Sequence, residues 1–250
     1  MKPCSTCNRC CTEYTVSITG FDAWLISRRL ELALPSFLVH YLVGDDAQRG
    51  FLLAPDGPRH ELALSKVGTF KAGSPCVFWL ELADGRGRCA VYAVRPHVCR
   101  TYPAYLQEDT VLLRDDVLCP AGSWHLAAMD LPVFRERLYR FRMEQDIYDY
   151  VVSAWNRRVD RLGAVRPLEE YYAYLMSVYD ALDAVRQAVP DSASARLVAT
   201  WGSRSVARPN PLVANLEGDG GAWDGLIDSI RAVVERCASG PRVPRIPSAR

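Results

Sequence analysis

Cysteine is the residue type in this sequence whose number and spacing could do chemistry. Nine cysteines stand at positions 4, 7, 10, 11, 76, 89, 99, 119 and 237. Cys4-x-x-Cys7-x-x-Cys10 has the C-x2-C-x2-C spacing by which a tight loop turns successive thiolates toward one centre, as in bacterial-type ferredoxins. Zinc knuckles use C-x2-C as well. A tetrahedral zinc ion or a cubane cluster needs four thiolates, so the fourth must come from elsewhere. Cys11 adjoins Cys10, and on an extended backbone adjacent side chains point to opposite sides, which predicts that the two face different partners. Eight cysteines within residues 4–119 suffice for two four-thiolate sites, or for one cluster plus a site with an open position; the sequence does not partition them.

The later cysteines have distinct contexts. Cys76 precedes the apolar run Val77-Phe78-Trp79-Leu80-Glu81-Leu82, and Cys89 lies in Arg88-Cys89-Ala90-Val91-Tyr92; the intervening Ala83-Asp84-Gly85-Arg86-Gly87 predicts a β-hairpin that brings both cysteines near each other. Pro96 and Pro103 bracket a rigid turn around Cys99. Arg95 and Arg100 beside it suit hydrogen bonding to cluster sulfurs or to a cofactor or substrate carboxylate. His97, Arg100 and Tyr102 are the candidate catalytic groups, and Tyr105 is near enough in sequence to contribute. Asp115 and Asp116 either bind a cationic substrate or end a strand. His125 follows Cys119 by six residues, while His40 and His60 carry no contextual signal. Cys237 falls in an apolar helical stretch and reads as a small core residue.

These motifs together resemble a known family. Cys4-x-x-Cys7-x-x-Cys10-Cys11, Cys76-Val-Phe, Gly87-Arg-Cys89-Ala-Val-Tyr92, Arg95-Pro-x-x-Cys99-Arg100-x-Tyr102-Pro103 and Cys119 are similar to the YkgJ-type CxxCxxCC cysteine-cluster family, described as chelating zinc or iron. The resemblance covers about residues 1–125. A related family, the flagellin lysine N-methylases, implies an iron–sulfur cluster, a [4Fe-4S] type being the expectation, and transfer of a methyl group from S-adenosylmethionine to an amine or amino-acid-like substrate. The eight cysteines from Cys4 to Cys119 are the implied metal ligands. The alternative is a zinc-binding structural or interaction module, or a metal chelator or carrier.

Composition bounds what else the chain can be. With 250 residues, 49% of them hydrophobic, it can bury a core without needing metal to compensate for small size. A net charge of +1 from 30 basic and 29 acidic residues, with no long basic block, predicts neither a nucleic-acid nor a membrane partner. Met1-Lys2-Pro3-Cys4 lacks a signal-peptide apolar segment, and no apolar run approaches the ~20 residues of a membrane span. A cytoplasmic location is therefore expected, where thiols stay reduced. The Walker, dinucleotide-binding, H-E-x-x-H and deaminase motifs are absent, as is the radical-enzyme spacing C-x3-C-x2-C.

The elements that must position the cysteines define an α+β fold: a small cysteine-rich region with a β-hairpin, then a mainly helical half with two long antiparallel helices. Domains are expected at 1–125 (cysteine cluster), 126–237 (helical) and 238–250 (disordered tail). Glu13 to Thr19 alternates like a strand, and Thr19 or Asp22 can cap a following helix. Phe51 to Leu64 reads as short strands or loops. Phe134, Leu138, Phe141, Tyr148, Val152, Trp155, Val159 and Leu162 form a helical stripe starting near Asp130 and Pro132. A second helix starts at Pro167, with Glu169 and Glu170 in its first turn, and carries a core stripe that includes Tyr171, Leu175, Tyr179 and Leu182. Residues Asp191 to Gly221 read as a long loop, followed by a short helix from Trp223 to Val234.

Overall fold

The computed structural model describes residues 9–44, 49–68, 73–83, 87–120, 122–189, 191–207, 210–213 and 222–240. The chain is mixed α and β, strands first and helices after, and it divides into two compact units: Met1–His40 with Leu62–Phe141, and Tyr41–Glu61 with Arg142–Arg250. Among the described residues no helix is long and apolar enough to cross a membrane.

In the first unit a short helix α1 (Arg9–Glu13) leads into extended chain. The strand expected over Glu13–Thr19 reduces to one bridge, Ser17 opposite Ala63, flanked by Ile18 N–H to Leu62 O (3.1 Å) and Leu64 N–H to Val16 O (3.0 Å). The local alternation is real, but Glu13 is taken up by α1 and the run has only one partner segment. Helix α2 (Gly20–Leu30) starts at a capping box: the Thr19 side chain accepts from the Asp22 N–H, and the Asp22 carboxylate accepts from the Thr19 N–H. Its buried face carries Ala23, Trp24 and Ile26. Glu31, in the left-handed conformation, ends it.

Strands β1 (Leu38–Leu42), β2 (Phe51–Leu52) and β3 (Arg59–Leu64) form a sheet in the order β1-β3-β2. The expected cysteine hairpin is present as β4 (Trp79–Glu81) and β5 (Gly87–Cys89), antiparallel, with Trp79 opposite Cys89 and Glu81 opposite Gly87. Its tip, residues 84–86, lies outside the described residues. A Cβ placed on Gly87 would stand 1.5 Å from Trp79 Cζ2, so only glycine lets the indole cross this strand. Helix α3 (His97–Thr101) carries Cys99, and β6 (Ala104–Gln107) pairs with β7 (Thr110–Leu113) in a second hairpin. Ala104 and Val111 of that hairpin pack on Leu138, in the first turns of α4 (Leu131–Leu162).

The second unit is mainly helical, with β2 beside the helices. The rest of α4 meets α5 (Leu168–Gln187) through Arg186–Glu144 (2.8 Å), Tyr174 OH to Val151 O (3.0 Å) and Arg158–Glu170 (3.4 Å). Positions rise along one helix as they fall along the other, so the pair is antiparallel, as expected. The tyrosine stripe is core: Tyr171, Tyr174 and Tyr179 are fully buried, and Tyr171 stacks on Phe51 at 3.9 Å. Residues expected to loop from Asp191 instead form α6 (Asp191–Ala207). Its serines alternate with alanines of high helix propensity, and Val198 and Trp201 give it a buried face, with Trp201 Nε1 donating to Asp146 Oδ2 at 2.8 Å. Helix α7 (Ala222–Ser239) extends past Cys237 on both sides of the short helix expected there. The expected tail beyond residue 240 lies outside the described residues.

Candidate metal centre

Cys4 and Cys7 lie outside the described residues, so the predicted N-terminal ligand run is seen from Cys10 onward. Cys10 and Cys11 sit in α1, on helical rather than extended backbone. The argument that they must point to opposite sides therefore loses its premise, because neighbours on a helix are separated by about 100°. What Cys11 visibly contributes is its backbone: its carbonyl accepts the Cys76 N–H at 2.8 Å.

That bond belongs to a small scaffold. Gly73 N–H donates to Thr12 O (3.1 Å), the Lys66 ammonium also reaches Thr12 O, and Lys66 bridges Cys76 across two antiparallel segments. The Cys76 carbonyl then accepts the Trp79 N–H (2.8 Å), and Phe78 O accepts from Ala90 N–H (2.8 Å), which leads directly into the Cys89 strand. Backbone hydrogen bonds thus tie α1 to the start of the hairpin and the hairpin's two strands to each other.

Cys99 arrives from α3. Its thiol is packed inward, and burial pushes it well above the ordinary value, followed by the nearby Cys76, Cys10, Asp22 and Cys89. Cys76 is likewise pushed up, by burial first and then by Cys89, against the opposing pull of its own hydrogen bond and of Lys66. Thiols from three chain segments thus meet around Cys99: Cys76, Cys10 and Cys89 each make it harder to ionise, as Cys89 does Cys76. A bound cation reverses that sign, since it makes the thiolate the favoured form. Soft thiolates in this number suit zinc or iron–sulfur centres. Among the described residues, no three Cys, His, Asp or Glu side chains stand close enough together to hold a metal ion.

Cys119 has a different setting. Trp124 Nε1 donates to its Sγ at 3.3 Å. Tyr102 lies alongside: burial pushes its hydroxyl up, helped by Tyr14, with Cys119 a smaller contributor, while that hydroxyl accepts the Leu118 N–H at 3.1 Å. Tyr14 OH donates to Asp116 O (3.1 Å) and meets Tyr102 edge-on at 5.7 Å between ring centroids. Asp116 itself pairs with Arg114 in a two-pronged contact of 2.9 Å per arm. Tyr105 is exposed on β6, and His125 caps a 3-10 turn, Leu126–Ala128. Cys237 lies in α7, in the second unit.

The other candidates sort by their contacts. Arg100 spends its guanidinium on main chain, Nε to Arg95 O and Nη2 to Ala93 O, both 2.7 Å, and so braces the turn before α3. Arg95 stacks over the Tyr92 ring at 4.1 Å. His97 donates its backbone N–H (3.0 Å) and pairs its Nδ1 (2.8 Å) with the same oxygen of buried Asp22. Phe21 and Phe141 flank the imidazole, at 5.5 and 6.2 Å between centroids.

Sequence reasoning did not single out Asp22, Trp124, Tyr14 or Lys66 as parts of the site. Thr19-x-x-Asp22 was readable as a cap, yet its link to His97 spans 75 residues. Trp124, five residues after Cys119, could have been found by asking which donors stand within a turn of each cysteine.

A cysteine-rich domain whose thiols come from three segments into one neighbourhood belongs to the class of thiolate metal-binding domains. The family comparison agrees: residues 3–120 match the model of the CxxCxxCC family, whose description reads "Putative zinc- or iron-chelating domain". No curated protein and no solved structure matches the chain.

Proposed function

We propose that this chain binds an iron–sulfur cluster through Cys10, Cys76, Cys89 and Cys99, with Cys4, Cys7, Cys11 and Cys119 as the remaining donors. The observation that carries the reading is that Cys10 of α1 and Cys76 and Cys89 of the hairpin region all act on the buried Cys99 thiol of α3. Eight thiolates exceed what one tetrahedral zinc ion takes, and the C-x2-C-x2-C run suits a cluster. The remaining donors allow a second centre, and one held by fewer than four thiolates would leave an open position to supply Lewis-acid binding of a small amine or amino-acid-like substrate. Methyl transfer from S-adenosylmethionine is the reaction that the resemblance favours, and it rests on that resemblance alone.

The test is anaerobic purification followed by a visible spectrum and measurement of iron, sulfide and zinc. Iron and sulfide in cluster ratio with broad visible absorption support the reading. Colourless protein with stoichiometric zinc refutes the cluster and leaves a zinc-binding domain; protein that takes up neither metal refutes metal binding altogether. Given a cluster, calorimetric titration with S-adenosylmethionine decides the reaction class, and a flat titration removes methyl transfer.

A further inference from the structure

We propose that Trp124 is a positioning residue for the metal centre: its indole N–H holds the Cys119 sulfur as a ligand. The inference rests on the metal-binding reading above and adds a residue that lies beyond the span matched by the family, residues 3–120.

The chemistry of the contact fixes its direction. An indole nitrogen can only donate, so at 3.3 Å from Nε1 the Cys119 sulfur is the acceptor. A donor aimed at sulfur favours the charged form of the thiol, which is the form that ligates metal. Hydrogen bonds to ligand sulfurs are also one of the means by which a protein tunes a metal centre.

Local structure shows that the contact is built into the fold. Pro120 O accepts both the Ser123 N–H (3.1 Å) and the Ser123 hydroxyl (2.6 Å), and Gly122 adopts φ +75°; together these close a turn that returns residue 124 onto residue 119. Trp124 is then backed by Phe134 of α4, edge-on at 6.3 Å and 84°. The indole is therefore held from behind with its N–H toward the sulfur.

The Cys119 segment is fastened at its other end by groups from the two cysteine-bearing elements. Tyr14 follows α1, which carries Cys10 and Cys11, and donates to Asp116 O. Tyr102 follows α3, which carries Cys99, and accepts from Leu118 N–H. These two tyrosines, hydroxyls 3.5 Å apart, link the residues just before Cys119 to both elements. Trp124 completes the arrangement at the sulfur itself.

The experiment uses the metal-loaded chain. Trp124→Phe keeps an aromatic ring against Phe134 and deletes the N–H. Affinity is measured by chelator competition, with iron, sulfide and zinc counted first in the wild-type protein. The expected result is a loss of metal affinity of about 10-fold or more, with unfolding of the metal-free protein unchanged. In a second measurement that needs no variant, the indole 15N–1H resonance of Trp124 shifts when the metal is loaded. Metal-loaded Trp124→Phe with wild-type affinity overturns the inference, as does an indole resonance indifferent to loading. A Cys119→Ser variant that retains full metal content and affinity also overturns it, while leaving the metal-binding reading intact. A wild-type chain that binds no metal overturns both.

Discussion

Replacing Asp22 tests how the site is held together. This carboxylate is 1% exposed and receives four hydrogen bonds: Oδ2 from the Thr19 N–H (3.3 Å) and hydroxyl (3.0 Å), Oδ1 from the His97 N–H (3.0 Å) and Nδ1 (2.8 Å). It thus closes the capping box of α2 and also accepts the first N–H of α3, whose own N-cap, Pro96, offers no side-chain acceptor. Asp22→Ala leaves the buried Thr19 N–H and the half-buried His97 N–H without acceptors, at about 1–3 kcal/mol for a buried group and less for the other, so a loss of about 3 kcal/mol is expected. Thr19→Ala removes only the reciprocal cap, about 1 kcal/mol. Asp22→Asn keeps an oxygen toward His97 but turns an NH2 toward the Thr19 N–H, and falls between the two. Denaturant unfolding of the metal-free chain gives the order, and amide exchange at His97 locates the effect. If Asp22→Ala costs no more than Thr19→Ala, the arm that reaches His97 contributes nothing and the account of how α3 is fastened is wrong.

Cys99→Ser should abolish stoichiometric metal binding, whereas Cys237→Ser, in α7, should keep full metal content; metal analysis of the two variants settles both. Gly87→Ala forces a Cβ into the Trp79 indole and should destabilise the first unit by about 1–3 kcal/mol, with weaker metal retention because Cys89 shares the strand; urea unfolding and chelator competition read the two effects. Arg158→Met removes a buried cation that donates to Ala238 O (3.3 Å) and Gly240 O (3.1 Å) at the end of α7 and pairs with Glu170. Thermal unfolding should show a loss of about 3 kcal/mol.

The parts of the fold that the sequence disclosed were those with local causes. Trp79 and Cys89 face each other because an apolar run, a glycine-rich turn and a second run specify a hairpin with little help from elsewhere. The stripes of α4 and α5 were visible for the same reason. Helix α6 was missed because serine, read as a loop former, outweighed the alanines between; burial of Trp201 against Asp146, a contact spanning 55 residues, decides the matter and has no local signature. The site shows the same division. Its cysteines announced themselves by spacing, but Asp22 and Trp124 did not, since nothing near Asp22 in sequence indicates His97 and nothing in Trp124 indicates which way its N–H points.

The division of labour inside the site follows from which bonds hold it. Cys10, Cys76, Cys89 and Cys99 are separated by up to 89 residues, and bringing such distant groups together costs loop-closure entropy that a few thiols cannot recover by themselves. Main-chain bonds recover it instead: Cys11 O with the Cys76 N–H, Ala90 N–H with Phe78 O, and the Asp22 carboxylate with the His97 N–H each fasten one cysteine-bearing segment by a group that is not itself a ligand. The thiols are left to be selected for metal chemistry rather than for packing. Burial and neighbouring thiols make Cys76 and Cys99 costly to ionise, a cost that a thiophilic cation removes and that at Cys76 the hydrogen bond from Phe78 and the charge of Lys66 only partly offset. Buried thiols that resist ionisation yet are held in place by dedicated hydrogen bonds between their segments would be a poor way to build a core, and they are a coherent way to build a metal site.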